Sequence, residues 1–490
     1  MNSKKISKNR LLYYFSGVVF LLVAARSTSP LYPYYHGYDS AFFITMGRAL
    51  ISGRAMYLDY FDIKGPLLFL WEALGQCLAP GRYGAFVLEC ISIVVSLDIM
   101  NNIAKLFDLG KKARLILTAC FYFVLFLFLF GGNTIEELTL PLQLLCIYHC
   151  LVFIRDKEVI GWKSWLAMGL VSGVFLFSKA SLLVIPLACI LTILIHLLGQ
   201  KQYGLCLRGM LFCLLGLLGV SLPVILYYLV RGGLGNMVYW VFSLAFLRGF
   251  DDNYSRVMGL TRDLWWELYL LPCYLGAVYG IIRLRSRRRE SLLLALLSVF
   301  AALILHLGTP YMYYLILTVP VIVLAFVQAA EDIAALKEKI PTVKLKAACA
   351  SLLLVFLCIF APRAIDTARN ILATAVYAPG IDLHKEYQYF AGQIPDHERE
   401  SIYCLNPGIR FFADSELLPA NPCPFNDTYF GSVDKGVKDD ILRELGEKKY
   451  AWLFMELEGA YNDPDYDEVI MDNYEPVANT ENKILWHRKD

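Results

Sequence analysis

Residues 34–71 read YYHGYDSAFFITMGRALISGRAMYLDYFDIKGPLLFLW. Long apolar runs lie around this stretch. Inside it, Asp39, Asp59, Asp62 and Lys64 interleave with Tyr and Gly, and the polar part closes on Lys64-Gly65-Pro66. The densest polar patch of a greasy chain thus follows its first apolar segment. That arrangement predicts an outer loop at a membrane surface, and its charges are the first candidates for chemistry.

Working outward, 58% of the 490 residues are hydrophobic and the mean hydropathy is +0.52. A soluble domain has a lower apolar share, so the bilayer is the natural solvent. The net charge of +2 hides a split. From Arg363 onward there are 24 acidic and 13 basic residues; before it there are 19 and 32. The split predicts a membrane domain over 1–362, carrying the outer loop 27–82, and a soluble acidic domain over 363–490. The basic excess reads as loop charge, not as a nucleic-acid surface. The thirteen cysteines form no CxxC motif, so zinc-ribbon and thioredoxin-like chemistry are excluded. Cys404 and Cys423 lie in the tail and form a candidate pair.

A span needs roughly 20 apolar residues, and about eleven runs qualify. They are 11–26, 83–103, 115–130, 138–154, 164–178, 181–198, 208–230, 264–282, 291–307, 311–329 and 345–362. The N-terminal run is a retained first helix with its start inside. The shorter run 66–79 carries Glu72 and is placed as a helix at the outer surface. This puts the basic loops KLFDLGKKAR, KQYGLCLR and RLRSRRRE on the inner face, as the Lys/Arg rule prefers. Outside fall 27–82, GGNTIEE, 231–263 and everything after 362. The 231–263 loop breaks the rule with Arg231, Arg248, Arg256 and Arg262, and so asks for an anionic partner. In the tail, ESIYCLN and YAWLFMEL read as strands. VDKGVKDDILRELGEKK reads as a helix, with Val437, Ile441, Leu442 and Leu445 on one face. EPVANTENKILWHR reads as a hairpin.

Asp39 heads an amphipathic stretch in which Phe43, Met46, Leu50 and Ile51 share a face. It is either a capping carboxylate or a general base at the mouth of a membrane cavity. Pro66 suits a first helical turn, which places Lys64 at the positive end of a helix dipole. An anion would be stabilised there, either a substrate's or a headgroup's. Glu136 and Glu137, after Gly-Gly-Asn, are candidates for acceptor positioning or weak metal binding. Lys179 reads as snorkelling to the interface. His306, Tyr311, Tyr313 and Tyr314 read as an aromatic belt or as a wall for a sugar or lipid headgroup.

These residues resemble the C-type (GT-C) membrane glycosyltransferases, in the branch of the protein O-mannosyltransferases and the lipid A aminoarabinose transferase. YDSAFFITMGRALISGRAMYLDYFDIKGPLLFLW carries the resemblance, with GGNTIEELTLP and GTPYMYYLILTVP as weaker matches. Many relatives have an Asp-Glu or Asp-Asp pair where this chain has Asp39-Ser40, and a basic-Pro-Pro where it has Lys64-Gly65-Pro66. The resemblance implies an all-α polytopic membrane protein with a small extracytoplasmic C-terminal α/β domain. It implies Asp39 as the catalytic carboxylate. It also implies Lys64, with Arg248 and Arg262, on the phosphate of a polyprenyl-phosphate sugar. Glu136 or Glu137 would be the second acidic site, and His36, Tyr38, Asp62, Tyr311 and Tyr313 would line the cavity. A divalent metal is compatible with this pattern.

The expected activity is therefore transfer of a sugar, with inversion, from the lipid-linked donor to an acceptor hydroxyl outside the plasma membrane. The acceptor is an envelope glycan, lipid or protein. Two alternatives are a transporter or flippase of a lipid-linked glycan and a non-enzymatic envelope assembly protein. The first predicts ionisable residues deep in spans, whereas most charges here gather at ends and loops. The second leaves the Asp39–Lys64 loop without a role.

Overall fold

The computed structural model describes residues 8–155, 161–247, 264–286, 289–307, 311–336, 342–405, 408–425, 427–457 and 464–490, and most of these are helical. Arg248, Arg256 and Arg262 lie outside the described residues. Contacts divide the chain into two units. One comprises Met1–Ala25, Leu88–Val224 and Asp252–Leu372; the other comprises Arg26–Val87, Ile225–Asp251 and Ala373–Asp490.

Apolar length shapes the helices. Among the described residues, five helical stretches are long and apolar enough to cross a membrane: Arg82–Leu106, Ala180–Gly199, Tyr203–Arg231, Glu290–Leu307 and Met312–Leu336. Shorter apolar helices run over Pro66–Leu78, Leu140–Arg155, Trp162–Leu176 and Leu234–Leu247. Exposed leucines along these helices, such as Leu211, Leu214, Leu222 and Leu226, suit a hydrocarbon solvent and not water. The chain is a polytopic membrane protein.

In the first unit, small residues set the helix spacing. A Cβ on Gly169 would lie 1.9 Å from the Cys213 carbonyl oxygen, and one on Gly216 would lie 2.3 Å from that of Leu166. Helices Trp162–Leu176 and Tyr203–Arg231 therefore meet backbone to backbone, as helices in lipid do where packing replaces the hydrophobic effect. Polar groups at the helix ends are paired. Arg283, buried, reaches Gln328 at 2.7 Å, Glu331 at 2.9 Å and Asp332 at 2.9 Å. Arg155 joins this network through Glu331 at 2.9 Å and Glu290 at 3.6 Å.

The second unit contains a four-stranded sheet of order β1-β2-β4-β3. Its strands are β1 (Ile402–Leu405), β2 (Trp452–Glu456), β3 (Tyr474–Asn479) and β4 (Lys483–Arg488). β1 runs parallel to β2, and the β3–β4 hairpin adds antiparallel to β2. These strands fall where the apolar and turn patterns placed them. Pro476 sits on the edge strand beside a bulge, where a missing N–H costs no ladder bond. The helix Lys435–Gly446 is capped by Asp434, whose carboxylate accepts the Gly436 N–H at 2.7 Å. Its Ile441 and Leu445 pack with Tyr403, Leu453 and Tyr474. Cys404 and Cys423 are buried free thiols, so the candidate pair is not formed.

Candidate functional site

The polar stretch of the second unit folds as helix, loop, helix. Gly37 caps the helix Tyr38–Ile51, and no side chain makes the cap bond. Asp39 is therefore in the first turn and not a capping residue; a carboxylate there gains from the dipole. Residues 40–47 are buried on every side, whereas Ile51 is exposed. The expected single apolar face holding Leu50 and Ile51 is thus replaced by burial all round up to Gly47. The cause is a second layer from residues 410–425. Arg48 donates to the carbonyls of Phe412 at 2.6 Å and Leu417 at 2.9 Å. Phe425 stacks on Phe42 with centroids 5.0 Å apart.

Gly65 caps the next helix and Pro66 takes its first position, as the sequence predicted. Lys64 precedes that cap. Its Nζ lies 3.6 Å from Asp39 Oδ1 and 3.7 Å from Asp62 Oδ1. The rings of Phe42, Phe43 and Phe425 surround it at 5.2 to 5.7 Å. Asp62 is fully buried and accepts the Lys64 N–H at 2.8 Å, which closes the turn, and Tyr57 donates its hydroxyl to the Lys64 carbonyl. Asp39 and Lys64 keep 29% and 16% side-chain exposure, so of the three charges these two are reachable. Asp59 binds the Ala55 N–H at 2.7 Å and is a loop-closing residue.

Tyr38 and His36 lie within three residues of Asp39, beside the partly exposed lip that Asp39 and Lys64 form. The Tyr38 hydroxyl donates to Glu456 at 3.3 Å, and the Arg410 guanidinium covers its ring at 4.1 Å. Arg410 also pairs with Glu456, which accepts from Tyr387 at 2.8 Å. His36 is buried with its Nδ1 unbonded. Burial, then the charges of Arg82, Arg48 and Arg410, push its pKa down to about 3. The imidazole is therefore neutral.

The second acidic candidates belong to the first unit. The turn Phe130-Gly131-Gly132-Asn133 has positive φ throughout. A Cβ on Gly132 would lie 2.4 Å from Glu89 Oε1, and the Asn133 N–H donates to that oxygen at 2.5 Å. Glu136 and Glu137 follow in a one-turn helix, both buried. Glu136 accepts from Lys179, whose ammonium lies 3.5 Å from the Tyr314 centroid. Lys179 is thus an inward ion-pair partner and does not snorkel, because Glu136 supplies its counter-charge. Burial, then the Glu89 carboxylate, push the Glu137 carboxyl well above the usual range. Tyr313 lies 5.7 Å from the same ammonium and stacks on half-exposed Tyr311. Sequence reasoning missed Glu89, Arg410 and Glu456. A lone Glu inside the apolar run FVLECISI was the available signal for Glu89; nothing local marked the other two. Among the described residues, no group of three or more His, Cys, Asp or Glu converges as metal ligands do.

No family model matches the chain, and no curated protein does. Solved structures do. ArnT from Cupriavidus metallidurans bound to undecaprenyl phosphate superposes with a TM-score of 0.56 at 12% identity, over 98% of each chain. Its apo state gives 0.55 at 14% identity, over 97% of each. The Archaeoglobus fulgidus oligosaccharyltransferase gives 0.54 at 14% identity, over 93% of this chain and 70% of that one. These likenesses show the fold alone: a polytopic helical architecture shared with ArnT and with the oligosaccharyltransferase.

Proposed function

We propose that the chain is a membrane glycosyltransferase that moves a sugar from a polyprenyl-phosphate donor to an acceptor hydroxyl on the outer side of the plasma membrane. One observation carries the reading. Asp39 and Lys64, distant in sequence, meet at 3.6 Å as the two reachable charges of the lip, in a fold shared with a protein that binds undecaprenyl phosphate.

In this reading Lys64 and the first amides of helix Pro66–Leu78 receive the donor phosphate. Asp39 takes the proton of the acceptor hydroxyl. The acceptor oxygen bonds to the anomeric carbon as the carbon–phosphate oxygen bond breaks on the opposite face, so the sugar inverts. The phosphate leaves with the electron pair, and the ammonium stabilises its charge. Arg248 and Arg262 are proposed as further phosphate contacts. Glu136 or Glu137 is proposed for acceptor positioning, and Tyr38, Tyr311 and Tyr313 as walls; Asp62, expected as a wall, is fully buried and closes the Lys64 turn instead. Residues 1–362 form the catalytic membrane domain in this reading, and 363–490 form an outer domain. The acceptor class is an envelope glycan, lipid or protein.

The test is incubation of the purified protein with a panel of polyprenyl-phosphate sugars, native beside Asp39→Asn. Hydrolysis or transfer by the native form alone supports the reading. Equal release by both forms removes Asp39 from the chemistry.

A further inference from the structure

A cavity of about 510 Å³ lies in the first unit. It is bounded by the ends of helices Leu140–Arg155 and Val184–Gly199 and by the starts of Trp162–Leu176, Tyr203–Arg231 and Glu290–Leu307. Among the described residues, Lys201, Arg208 and Arg289 lie at these ends and belong to the cationic set that the Lys/Arg rule gathers on one face. The catalytic reading uses none of these residues.

The walls of the cavity are built. Gly209 carries no side chain because the Trp165 indole occupies that space: a Cβ there would meet Trp165 Cε2 at 2.3 Å. Trp162 packs on Phe212 with centroids 5.8 Å apart, and the Arg208 guanidinium lies 5.8 Å from the same Phe212 ring. Opposite them, His196 Nε2 faces Arg289 Nη1 at 3.0 Å and Gln200 Nε2 at 3.0 Å. A guanidinium can only donate. That imidazole nitrogen therefore accepts, and His196 is an uncharged prop that holds Arg289 at the rim.

Charge decides the occupant. Arg208 and Arg289 line the cavity, and no Asp or Glu is among the described residues that do. The nearest acid in sequence, Glu290, lies 3.6 Å from Arg155 and 3.9 Å from Arg283, so its charge is committed elsewhere. Two guanidinium groups, two indoles at a membrane interface and a volume of headgroup size match a phosphodiester attached to acyl chains.

We propose that this cavity binds the phosphate headgroup of an anionic phospholipid, with Arg208 and Arg289 as its cationic contacts and the Trp162–Phe212 wall beside the acyl chains. It is a site separate from the Asp39–Lys64 lip, and it holds a structural or modulatory lipid and not the substrate.

The full chain is reconstituted into phosphatidylcholine vesicles and titrated with phosphatidylglycerol brominated on its chains, while tryptophan fluorescence is followed. Brominated phosphatidylcholine is the zwitterionic reference, and Trp162→Phe identifies the share of quenching that belongs to the cavity. The expected result is a preference for the anionic lipid on the order of thirtyfold, since each of the two basic side chains near a headgroup adds roughly a factor of five. Arg208→Gln with Arg289→Gln abolishes the preference, and the paired lysine substitutions keep it. Lys111→Gln with Lys112→Gln, on the same basic face, leaves it intact. Inorganic phosphate at millimolar level displaces nothing. Equal quenching by both lipids, or a preference lost with Lys111 and Lys112 but not with the arginines, overturns the proposal. Displacement by inorganic phosphate overturns the lipid as occupant.

Discussion

At the scale of residues, one ammonium faces two carboxylates. Lys64 lies within 3.7 Å of both Asp39 and Asp62, so this trio sets two carboxylates against one ammonium. Asp62 is sealed in its turn, so Asp39 is the reachable carboxylate of the two. His36 gives a pH signature to the same lip. Its folded pKa of about 3 lies below the ordinary value of about 6.5 for a free imidazole. A depressed base contributes stability that is present above pH 6.5 and is lost as pH falls toward 3. Between pH 6.5 and 5 the loss should reach about 2 kcal/mol. Thermal unfolding of native protein and His36→Gln across that window checks this. The native midpoint should fall with acid and the variant's should fall less; identical slopes would place the imidazole in water.

The same residues show what a sequence can and cannot reveal. Lys64-Gly65-Pro66 was readable because a proline at a first helical position has a local cause. For Asp39 the sequence left a cap and a general base as alternatives, and the cap is removed because Gly37 does the capping without a side-chain bond. Glu89, Arg410 and Glu456 were not legible, since their partners come from distant segments. Lys179 was assigned to the interface because its neighbours in sequence are apolar; its counter-charge, Glu136, comes from another turn.

At the scale of elements, the helix Tyr38–Ile51 carries the lip. Its pattern suggested one buried face, but residues 410–425 add a second cover. Which face is buried is then set by tertiary contact and not by periodicity. Gly47 is the point of closest approach: a Cβ there would lie 2.8 Å from the Glu72 carbonyl carbon and 3.0 Å from its oxygen. Backbone cannot yield as a side chain can. Gly47→Ala should therefore destabilise by about 1–3 kcal/mol and lower activity through displacement of Asp39. Gly392→Ala, in a helix with nothing within 4 Å of the added carbon, should be neutral or stabilising by up to ~1 kcal/mol. Denaturation midpoints of the two variants check the contrast; equal effects would mean that the two helices are not held as described.

At the scale of the whole molecule, the membrane character was legible because it rests on bulk quantities. Apolar length and the split of charge near residue 363 need no long-range contact to be read. The strands of the tail were legible for a related reason: short apolar runs between turn residues form strands almost wherever they fall. What composition does not encode is which segments share a packing unit, and residues 26–87 share theirs with 373–490. The fold likeness to ArnT and to an oligosaccharyltransferase spans nearly the whole chain at 12–14% identity, so architecture is common to sequences that share few residues.

The central claim is that the lip charges act on a lipid-linked donor, and its most direct measurement separates binding from chemistry. Donor affinity and single-turnover sugar release are measured together for native protein, Asp39→Asn and Lys64→Gln. The account expects Asp39→Asn to bind the donor as the native form does and to release sugar roughly 10²–10⁴ times more slowly. It expects Lys64→Gln to bind more weakly and to lose about 10²–10³ in rate. Native rates and native affinity in both variants would contradict it.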